Sequence, residues 1–147
     1  MIKELDYETV YEFWQKYLWP NRAIIMPMST MRYNDIAYKG ILKNYVPTFF
    51  GYIIDNTVVG VNRGHATSRI HYRSRGLYVM PEYRNNNIGK LLLEYTIQLA
   101  VKENKKYCWS LPRKTALKTY LNAGFEQTSD FFKTETSELN CYVIKEL

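Results

Sequence analysis

The strongest constraint on this chain is the stretch Arg75–Leu93, R-G-L-Y-V-M-P-E-Y-R-N-N-N-I-G-K-L-L-L. The apolar run Leu77-Tyr78-Val79 meets Pro81, which has no N–H to give to a central sheet, so a strand should end there. Arg84 and three asparagines follow, and Asn tolerates left-handed backbone better than other non-glycine residues. Ile88, Leu91, Leu92, Tyr95 and Leu99 then recur at three- and four-residue spacing, which predicts a helix from about Ile88 to Glu103 with one apolar stripe. Strand, polar loop and helix in this order aim several unpaired N–H groups at one point, at the positive end of a helix dipole. Anions bind at such points. Asn85, Asn86, Asn87, Ile88, Gly89 and Lys90 are therefore a candidate anion loop, in which Gly89 lets a ligand approach the backbone and Lys90 adds a cation.

The remaining segments divide on similar grounds. Met1–Leu5 reads as a first strand, and Val10, Phe13, Trp14 and Tyr17 share one face of a helix from about Asp6 to Leu18 that Pro20 ends. Asn21–Thr30 reads as a loop and Asn34–Asn44 as a short helix, with Trp14, Trp19, Met26 and Met28 as core filling. Phe49–Ile54 and Val58–Asn62 form a hairpin across Asp55-Asn56-Thr57, and a third strand runs from about Arg69 to Val79. Tyr107-Cys108-Trp109 follows a crossover helix and should lie parallel to that third strand. Pro112 suits a helix start, Ala116, Tyr120 and Leu121 give the helix an apolar side, and Gly124 caps it. Strands over about Phe125–Phe132 and Leu139–Lys145 close the chain.

At 147 residues, 46% of them hydrophobic, the chain fits a single domain spanning 1–147. Its first residues carry no apolar signal-peptide core and no segment has the length to cross a bilayer, so a cytoplasmic location is expected, with no membrane partner. Cys108 and Cys141 show no C-x-x-C spacing and the chain holds two histidines, which points to packed thiols and to no metal site. The net charge of +6 is spread evenly, with 9 basic and 6 acidic residues in 1–73 and 11 and 8 in 74–147. No Asp or Glu falls between Asp55 and Glu82, whereas Arg63, His65, Arg69, His71, Arg73 and Arg75 all do, making a local positive field. With acids interspersed elsewhere and no recognised nucleic-acid motif, DNA or RNA is not an expected partner.

Two segments carry a family resemblance. R-N-N-N-I-G at Arg84–Gly89, preceded by L-Y-V-M-P-E-Y, resembles the acetyl-CoA pyrophosphate loop Q/R-x-x-G-x-G/A of the GNAT superfamily of N-acetyltransferases, with Asn87 standing at the first glycine. Ala116–Phe125, A-L-K-T-Y-L-N-A-G-F, resembles that family's A-x-x-x-Y-x-x-x-G-F segment. The resemblance implies an α/β (α+β) fold: a central mixed, mostly antiparallel seven-stranded sheet, splayed after the fourth strand, with helices on both faces. It implies acetyl-CoA as co-substrate, its pyrophosphate on Arg84–Lys90 and its pantetheine amides on the backbone of Leu77, Tyr78 and Val79. One of those N–H groups, that of Val79, would polarise the thioester carbonyl. Tyr120 would protonate the departing thiolate, which suits a phenol with pKa about 10 facing a thiol of about 8.5. Arg113 stands where the family carries a cofactor-contacting Asn, and would reach a phosphate instead. The acceptor would be a small-molecule or peptide amine attacked directly, on a monomer or homodimer.

The proton acceptor is where this chain departs from the family. Many members place a glutamate at what is here Arg75, and a guanidinium is no base. His71 or His65, Tyr78, or ordered water remain, with His71 as the candidate side chain. If alternation holds, Arg75, Arg73 and His71 share one strand face, where two guanidinium groups suit a carboxylate or phosphate on the acceptor, such as an amino acid; the alternative is a solvated strand face. A non-catalytic acyl-CoA-binding module is the second functional reading, and a nucleic-acid-binding domain the third.

Overall fold

Pairing of the chain's β-runs starts at its first residues. The computed structural model describes residues 1–20, 47–134 and 138–147, and between the first two the backbone of two short strands. Strand β1 is Ile2–Glu4 and helix α1 is Tyr7–Phe13, started by Asp6, whose carboxylate accepts the Thr9 N–H at 3.0 Å. The helix continues as a π-type turn over Trp14–Leu18, in which the Trp19 N–H reaches back to Trp14 O at 2.7 Å. β2 (Arg32–Tyr33) pairs with β3 (Ile36–Ala37), so a strand stands within the helix expected over Asn34–Asn44. The rest of that helix, the Asn21–Thr30 loop, Met26 and Met28 lie outside the described residues.

β4 (Thr48–Ile54), β5 (Thr57–Ala66) and β6 (His71–Val79) form the expected meander. β5 runs four residues beyond Asn62, because Arg63, Gly64, His65 and Ala66 are buried in the sheet although their polarity masks the strand pattern. Helix α2 (Ile88–Lys102) crosses to β7 (Tyr107–Ser110), which pairs with β6 in parallel as predicted. α3 (Leu117–Asn122) starts five residues after Pro112, behind a 3₁₀ turn at Lys114–Ala116, and ends at Gly124 with φ +91°.

The closing segment departs from two long strands. β8 (Glu126–Gln127) and β11 (Val143–Glu146) join the main sheet, while β9 (Phe132–Lys133) and β10 (Leu139–Asn140) pair with each other. The main sheet is seven-stranded, ordered β1-β4-β5-β6-β7-β11-β8, with β6·β7 its one parallel pair.

Period-two alternation divides the core. Phe49 packs with Val10, Phe13 and Trp14 under α1, whereas Phe50 packs with Ile88 and Leu92 under α2. A third cluster, Leu93, Cys108, Tyr120, Phe125, Cys141 and Val143, fills the space between α2, α3 and the far strands, and both cysteines are buried free thiols there. Among the described residues no helix is long and apolar enough to cross a membrane.

Candidate active site

β6 and β7 pair only through His71↔Tyr107, Tyr72↔Cys108 and Arg73↔Trp109, after which the two strands part. Parallel pairing leaves the far half of β6 without a strand on that side, and a cleft of about 790 Å³ opens there. On its other edge β6 carries a bulge: Val61 pairs with Tyr78 and Arg63 with Arg75, so Gly76 and Leu77 together oppose Asn62. Gly76 takes φ +87°, and its carbonyl accepts the Trp14 Nε1–H at 2.8 Å. The bulge resets the alternation. Tyr72 and Ser74 face α2, Tyr78 turns to Phe13 and Tyr17 under α1, and Leu77 and Val79 face α2 again. Neither Gly76 nor Trp14 was legible as a site residue, because a bulge is a pairing event between two strands.

Tyr120, 2% exposed, lies on the wall of this cleft with its hydroxyl 3.1 Å from both Ser74 Oγ and Ser110 Oγ. Burial raises its pKa, and the bonds to Ser110 and Ser74 oppose that rise. The serines belong to β6 and β7, one on each side of the parting strands.

The asparagine loop has the geometry its composition suggests. Asn85 and Asn87 have φ +63° and +61°, so Asn87 holds left-handed backbone just before the helix. The first helical bond runs from the Leu91 N–H to Asn87 O at 2.9 Å, which leaves the N–H groups of Ile88, Gly89 and Lys90 ahead of it, and no side chain caps them. Arg84 folds back, its Nε donating to Val79 O at 2.9 Å and its guanidinium 5.2 Å from the Tyr78 ring centre. Gly89 has a packing reason as well, since a Cβ there would lie 2.9 Å from the Thr119 methyl on α3.

The basic residues of β5 and β6 are placed less uniformly. Arg73 and Arg75 line the cleft, Arg73 with its guanidinium 4.6 Å from the Trp109 ring centre. Arg63, fully buried opposite Arg75, has its pKa pushed down to about 9 by burial and then by the Arg75 charge. His65, opposite Arg73, is held well below the usual imidazole value by burial and by Arg63, Arg73 and Arg75, and is neutral. His71 also lines the cleft, but its Nδ1 lies 2.8 Å from Ser68 Oγ, which already accepts the backbone N–H groups of Ile70 and His71. The serine hydrogen therefore points at Nδ1 and the neutral ring carries its own hydrogen on Nε2, leaving no lone pair for an amine. His71 is moreover three residues from Ser74, about 10 Å along the strand, and on the opposite face. The candidate base is thus not brought to Tyr120. Arg113 also lines the cleft, where it pairs with Glu138 at 2.9 Å and donates to Leu18 O at 2.9 Å.

Residues 47–127 match the family model for the acetyltransferase (GNAT) domain, a span that takes in the meander, the asparagine loop and Tyr120. The chain belongs to the GNAT acetyltransferase family. Its fold agrees along the whole length with other structures of the kind. An IAA acetyltransferase from Bacillus cereus superposes at TM-score 0.71 with 14% identity, over 100% of this chain and 99% of that one. Ard1 from Thermoplasma volcanium gives 0.68 with 18% identity, over 100% and 97%. A GNAT family acetyltransferase from Elizabethkingia anophelis, solved with acetyl-CoA bound, gives 0.59 with 16% identity, over 69% and 76%. No curated protein matches the sequence. No group of three or more His, Cys, Asp or Glu among the described residues of this GNAT chain is placed to hold a metal.

Proposed function

We propose that this acetyl-CoA-dependent N-acetyltransferase moves the acetyl group to a primary amine by direct attack, on an acceptor that carries a carboxylate, such as an amino acid. The observation that carries the reading is the Tyr120 hydroxyl, buried on the wall of the cleft at the point where β6 and β7 part. The pyrophosphate would sit on the N–H groups at Ile88, Gly89 and Lys90, with Arg84, Asn85, Asn86 and Asn87 shaping the loop. The pantetheine would extend along the backbone of Leu77, Tyr78 and Val79, which brings the thioester to the parted strands. The neutral amine attacks the carbonyl carbon. The C–S bond then breaks, sulfur keeps the electron pair, and Tyr120 gives it a proton. The proton lost by the substrate nitrogen goes to water, and the phenolate recovers one, so thioester and amine become amide and thiol. Arg73 and Arg75 would take the acceptor's carboxylate, since a guanidinium has five donors and can serve an anion beside another partner.

The test is calorimetry with acetyl-CoA followed by thiol release in an amino-acid screen. Micromolar binding, weakened by Lys90→Glu, with turnover of an amino acid supports the reading. Absence of binding removes it, and binding without thiol release for any amine leaves an acyl-CoA-binding module.

A further inference from the structure

The hydroxyl of Tyr120 is one link in a buried polar chain. Thr96 Oγ1 donates to Leu92 O at 2.9 Å, and Ser110 Oγ donates to Ser74 O at 2.6 Å. Both acceptors are carbonyls, which have no hydrogen to return. Asn62 Nδ2 lies 3.0 Å from Thr96 Oγ1 and 2.9 Å from Ser74 Oγ, and donates to both. A hydroxyl has one hydrogen. Ser110 shares its hydrogen between Ser74 O and, at 3.1 Å, the Tyr120 oxygen. In the Ser74–Tyr120 pair, also 3.1 Å apart, either oxygen can donate. The phenol hydrogen is thus not needed by Ser110 and is available to the cleft.

Resting on the reading of Tyr120 as acid, we propose that Ser74 and Ser110 are positioning residues for it, aiming its hydrogen and holding the phenolate left when the thiolate takes that hydrogen. Ser110 already points a hydrogen toward the phenol oxygen. The Ser74 hydroxyl supplies a second once the phenol is ionised, and hydrogen bonds to an anion are about twice as strong as neutral ones. Behind Ser74, the Asn62 amide donates to its oxygen and to that of Thr96. At 2% exposure a phenol without these donors is a poor acid, because burial strips its anion of most of its solvation. The strands that part to admit the thioester thus each contribute one hydroxyl to the acid.

Ser74→Ala, Ser110→Ala and Tyr120→Phe are to be compared singly and in pairs, by thiol release from acetyl-CoA with an amino-acid acceptor. Each serine variant is expected to lower kcat by roughly ten- to hundredfold, part of the roughly 10²–10⁴ that a positioned acid supplies, with KM for acetyl-CoA unchanged. In the Tyr120→Phe background neither should cause a further loss. Equal losses in both backgrounds would mean a structural role and overturn the proposal, as would serine variants with wild-type kcat. A Tyr120→Phe protein that keeps full kcat would instead remove the acid reading on which the proposal stands. An acceptor-free measurement supports the cycle: the Tyr120 resonance in protein labelled with ¹³C at tyrosine Cζ should titrate at higher pH in Ser110→Ala than in wild type. Identical titration, or a wild-type phenol that stays protonated throughout, overturns the proposal. Should Ser74→Ala fail to fold, Ser110→Ala carries the test alone.

Discussion

Gly76→Ala tests the bulge that separates the two halves of β6. The glycine sits at φ +87°, and a Cβ built on it would lie 2.5 Å from the Trp14 indole. Trp14 is fully buried and bonded to the Gly76 carbonyl, so it cannot withdraw without losing that bond. Left-handed backbone costs an L residue about 1–2 kcal/mol. Forcing a methyl into a packed site costs about 1–3 kcal/mol more. The expected loss is about 2–5 kcal/mol, comparable to the stability margin of a small domain. Urea unfolding measures it, with an unchanged m-value as the check that the folded and unfolded states are the same. The two causes separate in a Trp14→Phe background, where the indole atoms that the methyl would meet are gone and only the backbone cost of about 1–2 kcal/mol remains. A coupling of about 1–3 kcal/mol is therefore expected between the substitutions. Additive effects, or a Gly76→Ala protein within about 0.5 kcal/mol of wild type, would refute the argument.

Asn87→Gly should leave acetyl-CoA affinity intact and stability equal or higher, whereas Asn87→Val should cost about 1–2 kcal/mol in urea unfolding and weaken acetyl-CoA in calorimetry, because φ +61° suits only the first. Arg73→Ala should raise KM for a carboxylate-bearing acceptor while the Kd of acetyl-CoA stays unchanged; loss of acetyl-CoA binding instead would sink its assignment to the acceptor. His65 is held neutral in the folded protein, so below the unfolded imidazole pKa the unfolded chain binds a proton that the folded one refuses. Stability should then fall with pH from about 6.5 downward by about 1.4 kcal/mol per unit from this group, and His65→Gln should flatten the slope of urea-derived stability by that amount.

What could be read from the chain depended on how local each signal was. The asparagine loop was legible because its consequences are local: Asn before a helix, positive φ and uncapped N–H groups belong to one short segment. The meander and the parallel β7 followed from strand spacing and the crossover rule. β5 was cut short at Asn62 because Arg63 and His65 read as surface residues, although the sheet buries both. The closing strands were over-extended for the opposite reason, since their apolar residues serve two separate pairings. Tyr120 was singled out through its motif, but Ser74 and Ser110 have no motif at all. They lie 36 residues apart, joined by the Ser110-to-Ser74 hydrogen bond, and only the pairing of β6 with β7 brings them to one phenol. Gly89 was read for its ligand and turns out also to admit Thr119, so a bulky substitution there would confuse packing with binding.

On the proposed function, the arginines that line the cleft also bear on how the amine reaches the thioester. An amine must reach the thioester neutral, and either a base removes its proton or the site disfavours the ammonium form. Burial first, and then the charges of Arg63, Arg73 and Arg75, hold the His65 ring neutral. A substrate ammonium beside Arg73 and Arg75 meets the same repulsion and loses its proton at lower pH than in water. Under the proposed function, the cluster would attract the acceptor's carboxylate and discharge its ammonium, selecting the substrate and preparing it together. The ascending limb of kcat against pH reports this deprotonation in the bound complex. Arg75→Gln, which keeps a hydrogen-bonding side chain without the charge, should move that limb to higher pH as the field weakens, whereas a limb that stays in place would show that some other group takes the proton.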